Sequence, residues 1–319
     1  MNTSVRITIL IFTLSWTITN AQSQSAIFKV IPLGVKGGSD ESNLSSYAIA
    51  INGTEEYVCL DAGTLNFGVQ KGIKKKIWKG LPQDIIKTKF KGYLISHPHL
   101  DHLSGLVTNS PDDSPKPIYG LPYTIDIIKD KYFSWKSWAN FGNEGEKPAL
   151  SKYHYITLDT GKEIPLENTK MTVTAFSLSH STTSQSTAFL IGYNQNYVLY
   201  LGDTGADNIE KSDKLNQLWK SIGPLISNKE LKAIFIEVSF SNEQPDNLLF
   251  GHLTPKLLMD ELNQLSTIAG QGSLKNFPIV ITHIKPAGNR EQIIKNQLEQ
   301  LNNLDVKLLF AEQSKMLEF

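Results

Sequence analysis

The stretch SHPHLDHLSG, residues 96 to 105, is the feature that most constrains this chain. It places His97, His99, Asp101 and His102 within six positions, and these account for three of the seven histidines in the protein. A metal site, a histidine-rich surface loop and coincidence could each produce such a cluster. Four ligand-type side chains directly after a predicted strand, at 91 to 96, favour the metal site.

The spacing indicates how the cluster would bind ions. Pro98 restricts His97 to extended backbone, so the arrangement differs from the helical HExxH pair of metalloproteases. Side chains two apart in an extended chain lie on the same side, so His97 and His99 can converge on one ion. Asp101 and His102 follow after the chain turns and can face a second ion. Neutral imidazoles and carboxylates are ligands that Zn²⁺, Mn²⁺ and iron accept.

Further ligands are expected at the ends of other strands. His180 closes the predicted strand TVTAFSLSH, His283 closes FPIVITH, and Asp203 ends a buried strand in LYLGDTGAD. His252 opens a helix-like segment in LFGHLTP, whereas His154 lies inside KYHYITLD and is interpreted as an ordinary strand or surface residue.

The order of predicted elements indicates an α/β protein. A β-rich first half, with a hairpin turn at Asn52-Gly53, precedes strands that alternate with helices. This order predicts a four-layer αββα sandwich with helices on the outer faces of two sheets. The remaining strands are predicted at 171 to 179, 187 to 193, 197 to 203, 233 to 240 and 277 to 284. Helices are predicted in LSGLVTNS and at 208 to 221, 254 to 265 and 288 to 302, and the section from 115 to 150 is predicted to be irregular.

Charge and cysteine content exclude several classes. The chain carries 31 basic and 31 acidic residues, so its charge gives no reason to expect a nucleic-acid polymer or an anionic membrane as partner. Cys59 is the single cysteine, which rules out an intramolecular disulfide, and its apolar neighbours predict a small buried side chain. Oligomeric state is left open, a dimer included.

The N-terminal residues are interpreted as a signal peptide. Arg6 is followed by the short apolar run ITILIFTLSWTIT and then by small residues around Thr19 and Ala21. A buried strand or a membrane anchor is the alternative. We expect residues 1–21 to be removed, residues 22–319 to form one catalytic domain, and the protein to be exported, to the periplasm if the source is a Gram-negative bacterium.

These motifs carry a family resemblance. HPHLDH, a strand-end histidine, GDTG and a late strand-end histidine resemble the metallo-β-lactamase fold, in which an aspartate such as that of LDAG supports the metal loop. The sequence is more narrowly similar to class II 3′,5′-cyclic-nucleotide phosphodiesterases, through HPHLDHLSGL, SWANF, YLGDTGAD, and IFIEVSFSN followed by LFGHLTP. Ala139 stands where that family has a proline. The resemblance runs from about residue 28 to the C-terminus.

The resemblance implies two divalent metal ions, with Zn²⁺ as the default. A first ion would be held by His97, His99 and His180, and a second by Asp101, His102 and His283. Asp203 would bridge the two. Two close dications would activate a shared water as hydroxide at the phosphorus of a cyclic nucleotide, cyclic AMP or cyclic GMP, and give the 5′-monophosphate.

Two more residues are assigned catalytic roles beside Asp203. His252 is a candidate proton donor or phosphate contact, with helix capping as the alternative. Glu237 is a candidate for orienting His252, with a plain surface charge as the alternative.

Alternatives to a phosphodiesterase remain open. They are another hydrolase of the same fold, such as a lactonase or thioesterase, or a catalytically silent nucleotide-binding protein. Trp135, Trp138 and Phe141 have a spacing that predicts one face of a helix, either a platform for a base or ordinary packing.

Overall fold

The computed structural model describes Met1 and residues 26–319. The predicted signal peptide therefore lies, apart from Met1, outside the described residues. Among the helices that are described, none combines the length and the apolar character required to cross a membrane.

Two seven-stranded sheets form the centre of the molecule. The first has the order β14-β1-β2-β3-β4-β5-β6 and the second the order β13-β12-β11-β10-β9-β8-β7. The strands of the first sheet are β1 (Phe28–Gly34), β2 (Ser46–Ile51), β3 (Tyr57–Leu60), β4 (Phe90–Leu94), β5 (Lys116–Gly120), β6 (Tyr153–Thr157) and β14 (Leu317–Glu318). Those of the second are β7 (Glu163–Pro165), β8 (Thr172–His180), β9 (Ser184–Tyr193), β10 (Asn196–Leu201), β11 (Leu231–Glu237), β12 (Pro278–Thr282) and β13 (Lys307–Phe310).

Helices cover the outer face of each sheet. The first sheet carries α1 (Asn66–Lys74), α2 (Pro82–Lys89), α3 (Leu100–Asn109) and α4 (Pro122–Ile127), with a π-helical turn at Ile128–Tyr132. The second carries α5 (Asp207–Glu210), α6 (Lys214–Ser227), α7 (Pro255–Ala269) and α8 (Arg290–Leu301), with a 3₁₀ turn at Asp246–Leu248.

Alternating side chains along the strands explain the layers, because successive residues of a strand point to opposite faces. Val30 of β1 and Phe235 of β11 belong to the cluster between the two sheets. Their neighbours Ile31 and Ile234 point outward, into the clusters beneath α1–α4 and beneath α6–α8 respectively. The predicted four-layer αββα sandwich is confirmed.

Several predicted boundaries differ from the structure. The helix expected over 208 to 221 is two helices, because Lys211 adopts a left-handed conformation between α5 and α6. The section from 115 to 150 was expected to be irregular, but it contains β5 and α4. The hairpin prediction is confirmed, since β2 and β3 pair antiparallel and Gly53 has a positive φ in their turn.

Candidate metal centre

The candidate residues converge because the strands that carry them end at one edge of the molecule. β3, β4 and β5 run parallel in the first sheet, as do β10, β11 and β12 in the second. His180 and Glu237 are the last residues of β8 and β11, and His283 directly follows β12. Asp203 lies two residues after β10. Side chains that lie far apart in sequence therefore meet across the gap between the sheets.

The loop of HPHLDH is fixed by Asp61, which follows β3. Asp61 is fully buried and adopts φ 56°, a left-handed conformation that an aspartate tolerates better than most residues. Its carboxylate accepts hydrogen bonds from the Ser96 amide at 2.7 Å and the Ser96 hydroxyl at 2.8 Å. It also accepts from the Tyr200 hydroxyl at 2.6 Å and from His102 Nδ1 at 2.7 Å. One carboxylate thus joins the start of the histidine loop, the helix that follows it and the second sheet.

Three imidazoles form the first group of candidate ligands. Nδ1 of His99 lies 3.1 Å from Nε2 of His97 and 3.3 Å from Nε2 of His180. His97 and His180 are buried, whereas His99 is exposed at the mouth of the site. The three nitrogens lie within 4.8 Å of one another, a spacing at which they can share one cation.

Asp101, His102 and His283 form the second group. Oδ2 of Asp101 lies 3.1 Å from Nε2 of His283 and 4.0 Å from Nε2 of His102. Asp203 lies between the two groups: its Oδ1 is 3.3 Å from His102 Nε2, and its Oδ2 is 3.2 Å from His283 Nε2 and 3.7 Å from His97 Nε2. All seven residues assigned to metal binding from the sequence are therefore brought together.

Surrounding groups orient four of these imidazoles for metal binding. His102 Nδ1 faces the Asp61 carboxylate and His180 Nδ1 faces the Gly251 carbonyl at 2.8 Å. Both partners can only accept, so each Nδ1 carries a proton, and in the neutral form of each ring the lone pair is on Nε2. The Ser96 hydroxyl donates to Asp61, so at 3.0 Å it accepts from Nδ1 of His97, and the Ser239 hydroxyl stands in the same relation to His283.

This orientation supports the fit of the site to cations. Nε2 of His102 is buried and has no hydrogen-bond partner among the described residues, and it faces the carboxylates of Asp101 and Asp203. Either a proton on this nitrogen or a cation beside it must balance the charge of the carboxylates. Imidazole nitrogens and carboxylate oxygens are the donors that divalent transition metals bind, so the residues present fit divalent ions.

The charge balance supports the same conclusion. Burial raises the pKa of Asp203, but His283, His102 and His252 outweigh it and hold that pKa well below its ordinary value. Burial lowers the pKa of His102, but Asp203, Asp61 and Asp101 outweigh it and raise that pKa well above 6.5. Asp203 is therefore ionised, and its negative charge is balanced by nearby positive charge, which either protons or metal ions can supply.

His252 and Glu237 form a buried pair beside the metal ligands. Nδ1 of His252 lies 2.7 Å from Oε1 of Glu237, and the same oxygen accepts from the Thr204 amide at 3.0 Å. Glu237 is fully buried, so the interpretation as a surface charge is wrong. The side chain of Thr254, which accepts from Leu257 N, caps α7, so the interpretation of His252 as the helix cap is also wrong.

The aromatic segment differs from its prediction. No helix spans Trp135 to Phe141, and Trp135 has φ 59°. Nε1 of Trp138 donates to the Ser110 hydroxyl, directly after the C-terminal end of α3. Because α3 rises 1.5 Å per residue, this end lies about 14 Å along the helix from the histidine loop. Trp138 thus packs the segment onto α3. This agrees with ordinary packing, the alternative to a platform for a base.

Some contributors to the site were not identified from the sequence. Ser96, Tyr200 and Ser239 bind the ligands or their supporting carboxylates, yet serine and tyrosine give no distinctive sequence signal. Ser96 directly precedes HPHLDH. Ser239 lies two residues after Glu237, and this spacing places the side chains of Glu237 and Ser239 on the same face of the chain. His154 lies on β6 and pairs with Glu167 at the surface, as expected of an ordinary residue.

Solved structures with the same architecture support the assignment of the fold. Unliganded yeast PDE1 matches with a TM-score of 0.83 and 22% identity, over 92% of this chain and 100% of that chain. The metallo-β-lactamase fold protein YhfI from Bacillus subtilis matches with a TM-score of 0.62 and 14% identity, over 93% and 100%. The fold is therefore of the metallo-β-lactamase type.

Sequence comparison identifies the family in addition to the fold. A 3′,5′-cyclic-nucleotide phosphodiesterase of Aliivibrio fischeri is 42% identical, over 93% of this chain and 94% of the relative. A probable 3′,5′-cyclic-nucleotide phosphodiesterase of Yersinia pestis is 36% identical, over 92% and 90%. The family model of class-II cAMP phosphodiesterases matches residues 26–310. With this match across nearly the whole described chain, and with a ligand cluster assembled from its motifs, the protein belongs to the class-II cAMP phosphodiesterase family.

Proposed function

We propose that the protein is a metal-dependent phosphodiesterase that hydrolyses 3′,5′-cyclic nucleotides, cyclic AMP or cyclic GMP, to 5′-monophosphates. The observation that carries the proposal is the convergence of seven residues with nitrogen and oxygen donors, Asp203 among them, in a member of this family. The names of the two bacterial relatives support the choice of substrate.

We propose two ions, with Zn²⁺ as the native metal. His97, His99 and His180 would hold one, Asp101, His102 and His283 the other, and Asp203 would contact both. Divalent ions held here would polarise the phosphate oxygens and activate water as the nucleophile. The chain itself contributes a fixed set of ligands. Asp61, the Gly251 carbonyl and the hydroxyls of Ser96 and Ser239 each bind Nδ1 of one imidazole, so that its Nε2 faces the ions.

His252 is proposed as the proton donor. Its Nδ1 is bound to Glu237, so the ring is held in place and Nε2 is the nitrogen left for the substrate. In the reaction the water oxygen loses a proton to solvent and bonds to phosphorus, and the bond from phosphorus to the ribose O3′ breaks. Nε2 of protonated His252 gives its proton to O3′, and His252 then regains a proton from solvent. Glu237 does not touch the substrate and acts by positioning His252.

We also propose that the chain is an exported single-domain enzyme. Arg6, the apolar run that follows it and the small residues near Ala21 support a cleaved signal peptide of residues 1–21. N-terminal sequencing of the protein purified from its native source tests this, and a mature chain that begins near residue 22 is expected. A mature chain that retains residues 2–21 would contradict it.

The test of the activity is direct. Purified protein with added Zn²⁺ or Mn²⁺ should convert cyclic AMP to 5′-AMP and should lose that activity in excess chelator. Asp203→Ala should abolish hydrolysis and weaken metal binding, whereas the surface variant Asp159→Asn should behave as wild type.

A panel of substrates separates the alternatives. Metal-replete protein that hydrolyses a lactone, a thioester or a β-lactam but no cyclic nucleotide would assign it another chemistry. Protein that binds a cyclic nucleotide without turnover would assign it to the silent binding class.

A further inference from the structure

Ser239 occupies a position between a candidate metal ligand and the catalytic pair. It is fully buried, two residues after the end of β11. Its hydroxyl oxygen lies 2.9 Å from Nδ1 of His283, 2.6 Å from Oε2 of Glu237 and 3.2 Å from Nδ1 of His252. One hydroxyl thus contacts three functional side chains.

The direction of these hydrogen bonds follows from proton counting. A serine hydroxyl has one hydrogen and two lone pairs. The shortest contact is to a carboxylate oxygen, which can only accept, so the hydrogen points to Glu237. The lone pairs of Ser239 then accept the proton of His283 Nδ1, and the imidazole of His283 is left with its Nε2 lone pair directed at Asp101 and Asp203.

The backbone conformation of His283 and its neighbour Gly37 restrict the ring further, beyond its hydrogen bond with Ser239. His283 has φ 55°, a conformation that a residue with a Cβ adopts only when its surroundings impose it. On its other side the ring packs against Gly37, where an added Cβ would lie 2.2 Å from Cε1 of His283. The ring is therefore confined between a backbone that tolerates no side chain and the hydroxyl of Ser239.

We infer that Ser239 is a positioning residue that fixes the tautomer of His283 for the second metal ion and ties this ligand to Glu237 and His252. The inference rests on the proposed metal assignment. It predicts a selective defect: without the hydroxyl, the ion bound by His283 is lost first, while the ion bound by His97, His99 and His180 is retained.

The experiment compares Ser239→Ala with Ser239→Thr, which keeps a hydroxyl. Chelator-treated full-length protein is titrated with Co²⁺, bound metal is followed by its visible absorption, and stoichiometry is checked by elemental analysis. Ser239→Ala should bind the second ion about 10- to 100-fold more weakly than wild type, the range for loss of a partner that orients a metal ligand. Ser239→Thr should restore binding, and His283→Ala supplies the reference for complete loss of that ion.

Activity adds a second measurement. At limiting metal Ser239→Ala should lose kcat with little change in KM, because Ser239 is fully buried and acts through His283. Ser186→Ala is the matched control, since Ser186 is equally buried and its hydroxyl has no hydrogen-bond partner among the described residues. It should retain both ions.

The outcomes separate this inference from the proposed function. Tight binding of both ions by Ser239→Ala, or equal loss of both, would overturn the role of Ser239 even if the wild type hydrolyses cyclic AMP. A wild type that binds two ions but hydrolyses no cyclic nucleotide would overturn the function and leave the metal titration interpretable. If Ser239→Ala does not fold, Ser239→Cys, with its similar shape and weak hydrogen bonding, is measured in the same titration and should also lose the second ion first.

Discussion

Replacement of Asp61 by asparagine tests whether one buried carboxylate holds the metal loop together. Asparagine has nearly the same shape and tolerates the left-handed conformation at this position, so neither a cavity nor new backbone strain is introduced. Three donors face Oδ2 of Asp61, from Ser96, Tyr200 and His102, and one faces Oδ1. The asparagine oxygen will take the side with three donors, so its amide group must face the Ser96 N–H.

The magnitude follows from these contacts. The hydrogen bond from the Ser96 amide is lost and leaves a buried donor without a partner, which costs about 1–3 kcal/mol. The three remaining bonds change from charge-assisted to neutral, and His102 loses the carboxylate that balances its charge. We expect a total loss of about 3–5 kcal/mol in the free energy of unfolding, the range for removing one member of a buried charged pair.

Urea unfolding of chelator-treated protein, followed by tryptophan fluorescence, measures this loss. Asp159→Asn is the matched control, because Asp159 is 73% exposed and its pair with Lys162 contributes at most about 1 kcal/mol. In the metal-loaded protein, Asp61→Asn should also weaken the ion bound by His102 about 10- to 100-fold. An Asp61→Asn protein within about 1 kcal/mol of wild type, with unchanged metal affinity, would refute the central position of Asp61.

Three further predictions follow from the site. His252→Gln should keep its metal content, measured by elemental analysis, and lose about 10²- to 10⁴-fold in kcat, because the proton donor is removed; metal loss would mean that His252 is itself a ligand. Gly37→Ala should bind the second ion more weakly in a cobalt titration, since its Cβ would displace the ring of His283, whereas Gly120→Ala, with no contact closer than 3.3 Å, should not. Trp138→Phe should lose about 1 kcal/mol of unfolding free energy with its hydrogen bond to α3 and should keep the KM for cyclic AMP; a large rise in KM would instead place this indole at the base.

The candidate ligands and their positions at strand ends were predictable because they depend on local chemistry. Histidines and aspartates at strand ends have few structural reasons to recur. Pro98 restricts His97 to extended backbone, before the helix α3 that carries Asp101 and His102. The same reasoning from local spacing wrongly predicted a helix for Trp135, Trp138 and Phe141. Their spacing fits a helix, but the buried Asn140 binds the backbone carbonyls of Glu144 and Glu146 and shapes an irregular loop instead.

Sequence alone determined the metal-binding chemistry, the αββα layers and the family, because hydrophobic alternation, strand-end histidines and motif spacing are properties of short segments. The tertiary structure decided which nitrogen of each imidazole faces the site and whether Glu237 is buried or exposed. It also revealed that Asp61 connects His102 with Tyr200 of the second sheet, and that Ser239 contacts both His283 and Glu237. These facts depend on contacts between residues 35 to 139 positions apart, such as Ser96 with Asp61 and Tyr200 with Asp61, and no local pattern records the direction of a hydrogen bond that forms only when the two sheets pack together.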